Sequence, residues 1–218
     1  MDSTKTIQTF FLVGYFLLGI IVHSLTARCI VLSSAPSVIT HEECPMPSLE
    51  KEISKALDKY KINPENKAQI RRLIVLLSKT IPTYDCRRNY DKKPIPAWWL
   101  ADDDSIANWF AFLLDRVKRD DELALKLLVQ FYATSDGYFK EGLSYRLIEI
   151  FLSQPALVLE CWTYMRVYRE KITEFTVFLR PEDGARMVTV YHDLGAKNKD
   201  FKQQCDEIIE IVKKGQFR

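Results

Sequence analysis

The sequence predicts an all-α protein: an irregular multi-helix bundle, or a short HEAT-like array of helical hairpins, with about 8–9 helices behind an N-terminal hydrophobic segment. Three observations carry this. After residue 48, apolar side chains recur at the i, i+3, i+4, i+7 spacing of one helix face. The interruptions fall on Asp, Ser, Asn, Pro and Gly, the residues that start and stop helices. Only seven glycines occur in 218 residues, few for the tight turns of a β-rich fold.

Residues 1–27 read as a signal peptide or membrane anchor. Phe10 to Val22 is an unbroken apolar run preceded by Lys5, the length of a secretory signal's apolar core. Thr6 to Ala27 is also long enough to span a bilayer as a retained anchor. Leu25-Thr26-Ala27-Arg28-Cys29 is similar to a lipoprotein cleavage box with Cys29 as the lipid carrier, although Arg28 stands where such boxes want a small residue. Each alternative places the rest of the chain outside the cytoplasm, in the periplasm, the extracellular space or at the membrane. Residues 28–47 follow as a flexible tether, and 48–218 as a single all-helical domain.

Within that domain, Leu49, Ile53 and Leu57 mark the first helix. Asn63-Pro64 is read as the cap and first position of the second, which carries Ile70, Leu73, Ile74 and Leu77 and stops at Pro82. The segment 83–101 lacks a period, holds several aromatics and two prolines, and is the longest loop. Asp102-Asp103-Asp104-Ser105 caps the next helix, with acids where its dipole favours them. Asp121 caps another, Ser135-Asp136-Gly137 turns the chain, and Pro155 opens a third. These short connections predict antiparallel neighbours, and Asp121 to Gln154 makes a hairpin unit of about 34 residues. Lys171 to Leu179 fits a helix or a short strand. Pro181 opens a helix expected to end at Gly195, and a final amphipathic helix is expected to end at Gly215.

Charge and composition exclude several classes. The net charge is +2, from 31 basic and 29 acidic residues mixed along the chain, which argues against a nucleic-acid binder. There is no P-loop, GxGxxG, GxSxG or HExxH pattern, so no cofactor or metal is expected. Three histidines, two of them in the leader and tether, leave His-based triads and multi-histidine metal sites without material. Downstream of Cys29 lie Cys44, Cys86, Cys161 and Cys205, an even set that in an oxidising compartment fits two bridges, Cys44–Cys86 and Cys161–Cys205; buried thiols are the alternative.

What remains is the aromatic loop. Tyr84, Tyr90, Trp98 and Trp99 are the candidate binding residues, because such rings give large contact area for little rotamer entropy. The sequence thus points to a module of the cell envelope that binds another protein, as inhibitors do. A glycan hydrolase using a carboxylate pair such as Asp102–Asp104, and a carrier of an apolar ligand, are the alternatives.

Overall fold

The computed structural model describes residues 46–84 and 95–216. The leader, most of the tether, Cys29, Cys44, Cys86 and Tyr90 lie outside them. The described residues are helical almost throughout, with α1 Met46–Ile62, α2 Lys67–Ser78, α3 Asp103–Val117, α4 Glu122–Thr134, α5 Gly137–Ser153, α6 Pro155–Met165, α7 Arg169–Phe175, α8 Pro181–Lys197 and α9 Lys202–Gln216. The all-α bundle is therefore what forms. Among these residues no helix is long and apolar enough to cross a membrane.

The helix starts follow from local chemistry. Asp102 accepts the Ser105 N–H at 2.7 Å and Asp121 accepts the N–H groups of Leu123 and Ala124, so both act as predicted. The cap of α2 is Asn66, which accepts from Ala68 and Gln69; the predicted Asn63-Pro64 start instead forms the turn before it. Pro155 is at the first position of α6, where its missing N–H costs no hydrogen bond. Between α3 and α4 the chain turns through Asp120 at φ 58°, a left-handed conformation that Asp tolerates better than most residues.

Helix α4 is the centre. Ala124, Leu125 and every residue from Leu127 to Tyr132 are buried, a helix apolar on nearly all sides. It packs against α2, α3, α5, α6 and α7. The other helices each bury one stripe against it or against one another, as Leu49, Ile53 and Leu57 do on α1 and Leu143, Leu147 and Phe151 on α5. A fully buried Leu or Phe contributes about 1.5–3 kcal/mol by leaving water, and all these stripes join one continuous core.

Two glycines read as terminators lie inside helices. A Cβ on Gly195 would stand 3.2 Å from the Cβ of Cys205, so α8 and α9 approach closely there and α8 continues to Lys197. Gly215 is likewise within α9. The strand alternative for 171–179 is not adopted: α7 runs into a 3₁₀ turn, Thr176–Phe178. In the loop, by contrast, a small antiparallel pair forms, β1 Thr83–Tyr84 with β2 Ile95–Pro96, with Thr83 opposite Pro96 and Tyr84 opposite Ile95.

The Cys161–Cys205 bridge does not form; both thiols are free and buried. Each lies on the core face of its own helix, and those faces meet different partners. Cys161 Sγ is 3.9 Å from the Glu122 carbonyl at the start of α4, whereas Cys205 packs on Gly195 of α8. Burial pushes the Cys161 thiol up to about 12 and raises Cys205 as well, so neither is a ready nucleophile.

Candidate functional site

The short β pair delivers the chain into a 3₁₀ turn, Ala97–Leu100, which carries both loop tryptophans. The two indoles point differently because consecutive residues of this tight helix are about 120° apart, a third of a turn. Trp98 is 0% exposed. It meets Phe110, Phe131 and Phe139 edge-on, with centroids 5.4–6.0 Å apart, and donates its N–H to the Thr134 hydroxyl at 3.2 Å. Trp98, one of the binding candidates from sequence, is thus buried in the core: its polar atom is satisfied internally and its rings fill the space between α3, α4 and α5.

Trp99 is 36% exposed and donates to the Thr134 carbonyl at 3.1 Å, one of the carbonyls that the end of α4 leaves open. Both indoles therefore converge on one threonine. Leu100 beside Trp99 is 39% exposed. Across the turn that follows Thr134, Tyr138 is 85% exposed and its ring meets Phe139 at 5.9 Å. A chain of edge contacts, Trp99–Trp98–Phe139–Tyr138, so connects two exposed rings through two sheltered ones.

Leu100 and Tyr138 were not singled out from sequence. For Tyr138 a signal existed: it follows Asp136, the cap of α5, so it sits in a first turn whose apolar stripe starts at Phe139. Of Tyr84 only the backbone is described, paired with Ile95.

The electrostatics of this corner are one-sided. Residues 95–115 contain four aspartates and no Lys or Arg, and residues 127–139 contain Asp136 and no Lys or Arg. Asp102, Asp103, Asp104 and Asp136 are exposed. The Ser105 N–H, a hydrogen bond with Glu50 and the Ser105 hydroxyl hold the Asp102 carboxyl down at about 2. Lys140, next in sequence, is taken up by Glu174 of α7. The exposed rings are thus rimmed by carboxylates.

No protein family, curated protein or solved structure matches this chain.

One other place bears on the chemistry. A groove of about 270 Å³ between α3 and α5 is lined by Leu114, Asp115, Lys118, Arg146, Glu149 and Gln154. Its two acids have partners: Asp115 accepts the Tyr60 hydroxyl at 2.5 Å and pairs with Arg119 at 3.3 Å, and Glu149 pairs with Arg146 at 3.2 Å. A general acid needs an apolar setting that keeps its proton, and ion pairing works against that. Among the described residues no group of three or more His, Cys, Asp or Glu side chains could hold a metal ion.

Proposed function

We propose that this protein is an exported or membrane-anchored helical module that binds another protein through the corner formed by Trp99, Leu100 and Tyr138. The observation that carries the reading is the conjunction of exposed rings on a rigid buried aromatic base with exposed carboxylates that have no ion-pair partner among the described residues. Exposed aromatics backed by a packed base lose little freedom on binding. These acids favour a partner surface with Lys or Arg around an apolar centre, since complementary potential steers and registers association. Location outside the cytoplasm rests on the apolar leader of residues 10–22.

The hydrolase reading has less to draw on: capping accounts for Asp102, and the acids of the α3–α5 groove are ion-paired. The carrier reading needs an enclosed apolar cavity, and the groove has charged walls.

The test is affinity capture with full-length protein as wild type and as Trp99→Ala/Tyr138→Ala. The double variant should lose a protein that the wild type retains, and the wild-type capture should weaken with salt. Identical recoveries by the two forms would overturn the assignment of the site.

A further inference from the structure

The first hairpin, α1 and α2, differs electrostatically from residues 95–216. Residues 46–84 hold eight basic and four acidic residues, whereas 95–216 hold 16 basic and 20 acidic ones. Pairing sharpens the contrast. Ten of the basic residues beyond 95, among them Arg116, Lys140 and Arg169, sit in ion pairs with nearby carboxylates. Among the described residues none of the eight on the hairpin has such a partner, and all eight are exposed.

Two of the hairpin's four acids are turned to other uses. Glu50 accepts the Asp102 N–H and Glu65 pairs with Arg119. Only Glu52 and Asp58 remain to offset the positive charge.

The basic side chains are arranged in rows. Lys51, Lys55 and Lys59 follow one another by four on α1, opposite buried Ile53, Leu57 and Tyr60, and Ile62 at the end of the row is 84% exposed. On α2, Arg71, Arg72 and Lys79 surround half-buried Val75. Rows of cations with an apolar side chain at the tip are the pattern of a surface that meets acidic lipid headgroups. The position in the chain supplies the second argument. The apolar run Phe10–Val22 precedes this hairpin by only 23 residues. A run seated in a bilayer would hold the hairpin near that bilayer at high effective concentration, so weak electrostatic contact would suffice.

We propose that the outward face of the α1–α2 hairpin lies against an anionic membrane surface, with Lys51, Lys55, Lys59 and Arg71 over lipid phosphates and Ile62 at the headgroup boundary. This inference rests on the anchored form of the reading above.

The experiment is amine footprinting of the full-length protein with vesicles of phosphatidylcholine alone and of phosphatidylcholine with one third phosphatidylglycerol. Acetylation of each lysine is read by mass spectrometry. Co-flotation with the neutral vesicles reports the anchor by itself. With the acidic vesicles, Lys51, Lys55 and Lys59 should become at least threefold less reactive, while the exposed Lys197, Lys199 and Lys213, in or between the last two helices, keep their reactivity. The protection should vanish in high salt, and Lys51→Glu/Lys55→Glu should abolish it at Lys59 by weakening surface contact about tenfold or more. Flotation without lipid-dependent protection would overturn the hairpin assignment and leave the anchor standing. Protection by acidic vesicles without flotation on neutral ones would support the hairpin and refute the anchor. Equal protection by duplex RNA at the same salt, with none from vesicles, would assign the face to nucleic acid and overturn the proposal.

Discussion

Gly215 of α9 lies directly against Thr176, so that a Cβ on the glycine would overlap the threonine hydroxyl and its Cβ. Thr176 is buried and its hydroxyl donates to the Thr173 carbonyl at 2.5 Å, so it has no freedom to move aside. Gly142 on α5 is the opposite case, with nothing within 4 Å of the same position. Gly215→Ala should destabilise the protein by about 1–3 kcal/mol through overpacking. Gly142→Ala should stabilise it by about 0.5–1 kcal/mol through helix propensity. Urea unfolding followed by circular dichroism measures both, and equal effects at the two sites would contradict the close approach.

The adjacent tryptophans should separate cleanly in the same assay. Trp98→Ala removes a fully buried ring from between three helices and should cost about 3–5 kcal/mol. Trp99→Ala removes a half-exposed ring and one hydrogen bond, and should cost about 1 kcal/mol. A reversed order would mean that Trp98 is not the base of the aromatic corner.

Asp102 gives the protein an acid-sensitive helix start. Its carboxyl, held at about 2 against a usual 3.8, adds stability that is fully present above pH 4 and is lost as the pH falls through 2. Asn in its place keeps a capping oxygen but does not titrate. The stability difference between wild type and Asp102→Asn should be flat from pH 5 to 7 and shrink between pH 4 and 2. Parallel pH profiles for the two proteins would refute the role.

Tyr132 buries a hydroxyl that meets no hydrogen-bond partner among the described residues, and the Ser144 hydroxyl nearby spends its proton on the Lys140 carbonyl. Burial accordingly pushes the phenol up to about 12. Tyr132→Phe removes the unsatisfied group and keeps the ring, so it should be neutral or stabilising by about 1 kcal/mol. A loss of more than about 1 kcal/mol would reveal a partner for that hydroxyl.

The helices were legible because each buries a stripe whose period survives in one dimension: Leu49, Ile53 and Leu57, or Ile70, Leu73, Ile74 and Leu77, could hardly be anything else. Asp102 and Asp121 were legible as caps for the same reason, since capping acts within three residues. Gly195 and Gly215 were misread because a glycine required by a neighbouring helix looks in sequence like one that ends its own. The two-residue strands have no period to detect. At the candidate site, composition located the aromatic segment but not its orientation. Trp98 and Trp99 are chemically identical neighbours, and only Phe110, Phe131 and Phe139, brought together by three helices, decide which one turns inward. The same holds for the hairpin, whose mixed sequence of charges conceals that two of its four acids, Glu50 and Glu65, are engaged elsewhere.

The pairing of Thr83 with Pro96 has a consequence for the connection it closes. It joins the two ends of the ten-residue stretch 85–94 at the rim of the core, immediately before the turn that carries Trp99. Doubling the length of a segment closed in this way adds only about 0.6 kcal/mol of chain entropy. The two-residue ladder therefore fixes where the turn carrying Trp99 begins at almost the same entropic cost for a longer connection as for a shorter one.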